Sequence, residues 1–306
     1  AARRCAAWSP PSRPAHDDRS AMIDARQVPL ALYVHLPWCV RKCPYCDFNS
    51  HAVPAGGIAE QGYVTALQRD LEHAATGAAG REIVSVFFGG GTPSLFSPAA
   101  IGRVLEHARG LLPFAADVEV TLEANPGTVE HGRFSEYAAA GVNRVSLGAQ
   151  SFDDERLAVL GRIHGANDTA RAVEELRAAG IDNFNLDLMY ALPGQDPRGA
   201  LADLERAIEL GPTHLSHYQL TLEPDTPFAR RPPPRLPDDE LAWTMQLECQ
   251  ARLAAAGFEQ YEVSAYAQRG RRCRHNLVYW GYGDYLGVGA GAHGKLTLVT
   301  TGEIER

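Results

Sequence analysis

Short β-rich runs alternate with helical stretches from residue 29 to about residue 220, which predicts an α/β protein built on a parallel sheet. Two further observations agree. Several of the β-rich runs are apolar at nearly every position, as in IVSVFF, which suits strands covered on both faces. Several helical stretches close on glycine, at Gly141, Gly180 and Gly211, where the left-handed C-cap conformation favours that residue. Six strand–helix units in order favour a full or partial (β/α) barrel. A doubly wound sheet is the alternative, and periodicity alone leaves the choice open.

The elements follow in order. The first 28 residues carry five Arg and three Pro without an apolar period, and read as a disordered N-terminal extension. They lack the ~7–15-residue apolar stretch of a secretory signal. Asp17, Asp18 and Asp24 speak against a transit peptide, and Met22 is the natural start. Strands are predicted at Leu30–His35, Ile83–Phe88, Val118–Glu123, Arg144–Leu147, Phe184–Met189 and Leu215–Leu220. Helices are predicted at Ala59–Ala75, Pro98–Arg109, Val129–Ala140, Asp153–Leu160, Asp168–Ala179 and Gly199–Leu210. After residue 222 the texture changes. EPDTPFARRPPPRLPDD cannot form a central strand or helix and reads as a surface crossing. A helix over Asp239–Ala256 begins with acidic residues that suit its N-terminus. A strand is expected over Phe258–Ser264, then the Gly- and aromatic-rich WGYGDYLGVGAGAHG, and KLTLVTTGEIER reads as a strand and a turn. The expected organisation is an extension over 1–28, a barrel over 29–222, and a linker with a truncated C-terminal α+β region over 223–306.

Composition bounds the function. With 45% hydrophobic and 22% charged residues in 306, the chain is long enough and apolar enough for a full core. The net charge of −8 makes sequence-independent nucleic acid binding a poor prospect. No apolar run approaches the ~18 residues of a membrane span. Of the six cysteines, three fall within eight residues, which is no disulfide framework and points to a metal or redox cluster in a reducing, cytoplasmic setting. Cys249, in the stretch TMQLECQARL, reads as a small buried hydrophobe, and Cys5 has no assigned role.

The informative segment is YVHLPWCVRKCPYCDF, directly after the first strand. Cys39, Cys43 and Cys46 are spaced C-x3-C-x2-C. Three thiolates can each hold one iron of a cubane cluster and leave another iron open to a chelating molecule. Arg41 and Lys42 lie between them and can offset cluster charge. A Cys3His zinc site with His35 or His51 is the competing reading. Further along, FFGGGTPS follows the second strand, and its glycines let the backbone approach a ligand closely. Glu123, Gln150 and Asp187 fall at or near strand ends, which face the active site in a barrel, and Arg162 follows the fourth strand by a short helix. Carboxylates suit an ammonium or ribose hydroxyls, and Arg suits a carboxylate. The blander reading of each is a satisfied cap or core polar group.

With an aromatic residue, Tyr45, before the third cysteine, this segment resembles the radical S-adenosylmethionine superfamily motif C-x3-C-x-aromatic-C. The resemblance implies a partial, six-unit barrel with a [4Fe-4S] cluster on Cys39, Cys43 and Cys46. It implies S-adenosylmethionine on the open iron, cleaved by one electron to a 5′-deoxyadenosyl radical. It further implies cofactor contacts from Tyr33, Tyr45, Gly89, Gly90, Gly91, Thr92, Glu123, Gln150, Arg162 and Asp187.

A finer resemblance covers about Leu30–Lys295. YVHLPWC, FFGGGTPSLF, LEANPGT, GVNRVSLGAQSF, LGRIH, NFNLDLMYALPGQ, YEVSAYA, CRHNLVYW and GDYLGVGAGAHG resemble the oxygen-independent coproporphyrinogen III oxidase-like group, which continues into a further C-terminal domain. The oxidase itself carries a fourth Cys two residues after the third cluster Cys; Phe48 stands there. The haem-binding branch carries H-N-x-x-Y-W, matched by His275, Asn276, Tyr279 and Trp280. A His can ligate haem iron and aromatics can flank a macrocycle; His293 and Cys273 are rival ligands. The resemblance thus implies a haem chaperone that passes haem to an acceptor protein and draws on an electron donor. Coproporphyrinogen III oxidation is the second reading and a structural zinc protein the third.

Overall fold

The computed structural model describes residues 24–78, 80–128, 133–298, 301 and 303–306. Six parallel strands form its centre: β1 (Leu30–Leu36), β2 (Ile83–Gly90), β3 (Phe114–Ala124), β4 (Arg144–Gln150), β5 (Phe184–Tyr190) and β6 (His214–Gln219). Between them run α1 (Glu60–Ala75), α2 (Pro98–Leu111), α3 (Arg133–Ala139), α4 (Asp154–Val159), α5 (Ala166–Ala178) and α6 (Pro197–Glu209). This is the predicted succession of six units. The predicted start of the third helix at Val129 lies outside the described residues.

Later segments extend the sheet at both edges. After α7 (Asp239–Ala255) come the short strands β7 (Glu259–Gln260) and β8 (Ala265–Ala267). Helix α8 (Arg274–Trp280) and strand β9 (Asp284–Val288) follow. The sheet order is β9-β1-β2-β3-β4-β5-β6-β8-β7. Strand β9 lies parallel to β1, with Leu30 opposite Asp284 and Val34 opposite Val288. At the other edge β8 runs antiparallel to both β6 and β7. The sheet is therefore open, a partial barrel with C-terminal elements added to each side.

The structure differs from the sequence reading in four places, one of them a short helix, Pro227–Arg230, capped by Thr226 within the Pro-rich crossing. Phe258–Ser264 is not one strand: the chain turns back so that Gln260 faces Tyr266, with Tyr261 N–H donating to the Ala265 carbonyl at 3.1 Å. The strand in GDYLGV was not predicted. The expected disorder of 1–28 does not extend to its end. A short 3-10 helix, Ala25–Gln27, is capped by the Asp24 carboxylate, Ala25 is buried, and Arg81 Nη2 donates to the Val28 carbonyl at 2.6 Å.

Alternation along the strands divides the sheet into two unlike faces. Leu32, Val34, Val86, Phe88, Val120, Leu122, Val145, Leu147, Leu186, Leu188 and Leu215 are buried in the apolar core. The intervening positions are polar: Glu119, Thr121 and Glu123 in β3, Arg144 and Ser146 in β4, Asn185 and Asp187 in β5, His214, Ser216 and Tyr218 in β6. Helix α8 packs against β1, β2 and β9 on this polar face, where His275 meets Ser85 and Phe87. Cap chemistry fixes the crossovers. Ser97 Oγ accepts from Ala100 N–H ahead of Pro98 at the start of α2, and Asp196 does the same for Gly199 ahead of Pro197 in α6.

Candidate functional site

The cysteines lie on the loop that leaves β1. Trp38–Cys39 pairs with His51–Ala52, closing the loop at its base, and Val53 N–H donates to the Cys39 carbonyl at 2.9 Å. Lys42 Nζ braces it from within, donating to the Phe48 carbonyl at 2.9 Å. The Pro-rich crossing supports it from outside: Phe228 N–H donates to the Pro44 carbonyl at 3.0 Å, and the Phe228 ring lies against Tyr45. The second turn fits closely. A Cβ on Gly91 would stand 2.5 Å from the Trp38 carbonyl oxygen, and Gly90 has φ +114°, so both positions require glycine. Gly91 N–H and Thr92 N–H in turn donate to the Leu36 and Trp38 carbonyls at 2.9 and 2.7 Å.

One chamber gathers Cys39, Cys43, Cys46 and Tyr45 from this loop, Gly90, Gly91 and Thr92 from the glycine turn, and Glu123, Gln150, Asp187 and Arg162 from the later units. Arg162 is pinned there, with Nη2 donating to the Gly148 carbonyl at 2.6 Å and Nη1 3.6 Å from Cys43 Sγ. Its Nε is buried and has no partner among the described residues. Gln150 sits in the left-handed region at φ 68°, a conformation that costs a non-glycine residue energy and concentrates at functional sites. Its Oε1 accepts from Tyr218 Oη at 2.7 Å. Glu123 accepts from Gly90 N–H at 3.2 Å. Burial, and then the neighbouring Asp187, push the Glu123 carboxyl up to about 8, and burial raises Asp187 as well. Two partly buried carboxyl groups facing one space favour a cationic occupant, which would return both to their ionised forms. Burial also raises the Cys39 and Cys46 thiols, so metal binding must displace their protons.

A second chamber adjoins the first, and the two share Phe48, Gly90 and Glu123. Its other walls are Tyr33, His35, Asn49, Tyr279, Tyr285, Gly291 and His293. His35 has both ring nitrogens engaged, with Tyr33 Oη and the Asn49 carbonyl each at 2.9 Å.

The sequence-derived candidates are thus distributed. All three cysteines, Tyr45, Gly90, Gly91, Thr92, Glu123, Gln150, Arg162 and Asp187 meet in the first chamber. Tyr33 does not; it lines the second, deeper along β1. Gly89 lines neither; a Cβ there would stand 2.9 Å from the Phe87 ring and 3.1 Å from that of Tyr33. Among the haem candidates only Tyr279 and His293 line the second chamber. His275 is buried behind it, stacked on Phe87 at 4.9 Å and edge-on to Tyr279 at 5.0 Å. Its Nδ1 bonds Ser85 Oγ at 3.2 Å, and its Nε2 has no partner among the described residues. Burial, and then Arg144, lower it to about 3, so the ring is neutral. Trp280 points outward and is 54% exposed. Cys273 is buried beside Glu119, and Cys249 is buried in the core. The sequence reading missed Ser146, Tyr218 and Asn125 in the first chamber and Tyr285 in the second. Ser146 and Tyr218 carry a different signal from the strand-end one that pointed to Asp187: each is a polar residue at an alternate position of a buried strand.

Among the described residues no three His, Cys, Asp or Glu side chains converge on a single mononuclear ion. A cubane cluster places its thiolates on separate irons, so this donor set suits a cluster better than one zinc. The orphaned Arg162 Nε and the paired carboxyls suit a zwitterionic, cationic ligand beside it.

Residues 33–229 match the Radical SAM superfamily model. That span, with three thiols at the strand ends of an open parallel sheet, makes the protein a radical SAM protein, a class that implies a [4Fe-4S] cluster and S-adenosylmethionine. Two bacterial relatives bear the name "Heme chaperone HemW". The one from Escherichia coli strain K12 is 55% identical over 270 residues, covering 88% of this chain and 71% of its own length. The one from Haemophilus influenzae is 52% identical over 282 residues, covering 91% and 73%. The chain belongs to the HemW family. Among solved structures, the Escherichia coli coproporphyrinogen III oxidase HemN, described as a radical SAM enzyme, superposes with a TM-score of 0.78 at 26% identity, over 91% of this chain and 69% of its own.

Proposed function

We propose that this protein is a haem chaperone that binds haem beside a [4Fe-4S] cluster carrying S-adenosylmethionine, and hands the haem to an acceptor protein. The observation that carries the reading is the pair of adjoining chambers, one lined by thiols and carboxyls and the other by tyrosines and imidazoles. Kinship with proteins named as haem chaperones supports it. Phe48, which stands where the oxidase resemblance calls for a further Cys, is 65% exposed on the wall common to both chambers. It closes the thiol set at three and offers an aromatic face to a flat ligand.

In this reading Cys39, Cys43 and Cys46 hold the cluster. Glu123 and Asp187 receive the cationic and hydroxyl groups of S-adenosylmethionine, Arg162 receives its carboxylate, and the backbone of Gly90, Gly91 and Thr92 lies along it. When bound, the cluster supplies single electrons. The chain's own contribution is to place that cofactor within one shared wall of the haem. Tyr279 and Tyr285, whose rings pack together with centroids 4.4 Å apart, would offer one aromatic surface to the macrocycle. His275 and His293 are the candidate iron ligands: His275 has a neutral, unengaged Nε2 behind Tyr279, and His293 stands on the chamber wall.

The test is titration of haem into the reconstituted full chain, following the Soret band, in the parent, His275→Ala and His293→Ala. Saturable binding near one haem per chain is expected, with the Soret maximum shifted in the variant that loses the ligand. Absence of saturable binding in the parent rejects the reading.

A further inference from the structure

A line of hydrogen bonds runs across the polar face of the sheet from α8 to Asp187. Asn276 Nδ2 lies 3.2 Å from Tyr261 Oη, and Cys273 N–H donates to the same oxygen at 3.3 Å. Tyr261 Oη lies 2.6 Å from His214 Nε2. His214 Nδ1 lies 2.7 Å from Asn185 Oδ1, and Asn185 Nδ2 donates to Asp187 Oδ1 at 2.7 Å. The directions follow from the groups themselves. The Asp187 oxygen accepts, so the Asn185 amide nitrogen faces it and the Asn185 oxygen faces His214. His214 must then carry its proton on Nδ1, and its Nε2 accepts from the tyrosine hydroxyl. The tyrosine oxygen is left to accept from Asn276 and Cys273. Burial, and then Arg144, hold His214 well below its ordinary value, which keeps it neutral and this tautomer defined. Every donor along the line points from α8 toward Asp187, the arrangement in which successive bonds polarise one another in the same sense. One end, Asp187, lines the chamber with the cysteines. The other, Asn276, lines none but sits on α8, three residues before Tyr279, which lines the second chamber.

We propose that Tyr261 is a positioning residue that couples the two chambers through this relay, so that occupancy beside Asp187 changes the affinity for a ligand at α8, and the reverse. Tyr261 lines neither chamber and acts through its bonds to His214, Asn276 and the Cys273 N–H. The proposal rests on the haem and S-adenosylmethionine reading above.

The experiment uses the full chain, reconstituted anaerobically. S-adenosylmethionine affinity is measured by calorimetric titration with and without saturating haem, and haem affinity with and without S-adenosylmethionine. In the parent each ligand should change the other's dissociation constant by the same factor, about fivefold or more. Tyr261→Phe should bind each ligand alone and bring that factor to one. His214→Gln can accept from Tyr261 and donate to Asn185, so it should retain the coupling, whereas His214→Leu should abolish it. Backbone amide exchange at Cys273 and Asn276 supplies a readout that needs no haem: it should slow when S-adenosylmethionine binds the parent, and not in Tyr261→Phe. Equal affinities with and without the second ligand in the parent, or unchanged coupling in Tyr261→Phe and His214→Leu, would overturn the proposal. If the parent binds no haem, the functional reading fails, and the exchange measurement decides the relay by itself: unchanged exchange in the parent rejects it. If the variants misfold, the parent's linkage and exchange decide.

Discussion

Glu123 concentrates much of the chemistry of the site in one side chain. Its carboxyl titrates at about 8 in the ligand-free fold, against an ordinary value of 4.5. Between those values the folded chain holds a proton that the unfolded chain releases. Stability from this group is therefore greatest at acid pH and falls as pH rises toward about 8. Glu123→Gln keeps the shape and removes the ionisation, so it should remove that decline and be more stable than the parent near pH 8 by on the order of a few kcal/mol. Urea midpoints of the cluster-free parent and variant across this range provide the check, and parallel curves would show that Glu123 is not responsible. Gly91 makes a different demand, on space. A Cβ there meets backbone atoms of both Pro37 and Trp38 at 2.8 Å or less, so Gly91→Ala must move the cysteine loop. It should lose on the order of 2 kcal/mol of stability and take up less iron on anaerobic reconstitution. An unchanged iron-to-protein ratio would contradict this.

Among the secondary-structure elements, legibility followed the strength of the local pattern. The six central strands were visible because β-branched and apolar runs ended on turn residues. Glu123 and Asp187 were found because they fall at or near strand ends, which face the site in a barrel, and the alternation of VEVTLE agrees with Glu123 lying on the polar face. Strand β9 was not visible, because DYLGV holds a glycine and is too short to show a period. Only its pairing with β1 makes it a strand. Helix α8 shows the same limit within the site. Its sequence motif predicted one haem-facing cluster, but helical geometry spreads it. His275 and Val278 turn inward, Tyr279 reaches the chamber, and Trp280 turns out. The start of α2 offers a quantitative test. Ser97 N–H and Oγ both donate to the Glu60 carboxylate, at 2.6 and 2.7 Å, while Oγ caps Ala100. Ser97→Ala removes the cap and half of the tie to α1, and should cost about 1–2 kcal/mol in thermal or urea unfolding.

For the molecule as a whole, the edge that carries β9 is held by a buried charge cluster rather than by apolar contact alone. Asp284 accepts from Arg81 Nη1 and Lys295 Nζ, each at 2.7 Å, and from Thr297 N–H at 2.8 Å. Asp284→Ala strands a buried guanidinium and should destabilise the fold by about 3–5 kcal/mol. Hydrogen exchange should then show β9 opening before the centre of the sheet; uniform loss of protection would mean that the edge is not a separate unit. The same pairing governs the order of events during synthesis. Leu30, which opens β1, finds its neighbour Asp284 only after some 250 further residues have been made. At ~5–20 residues per second this leaves the flank of β1 open for roughly 12–50 s. Through that interval the cysteine loop that follows β1 hangs from an incompletely paired strand. The arrival of β9 thus completes, late in synthesis, the pairing of the strand that displays the three thiols.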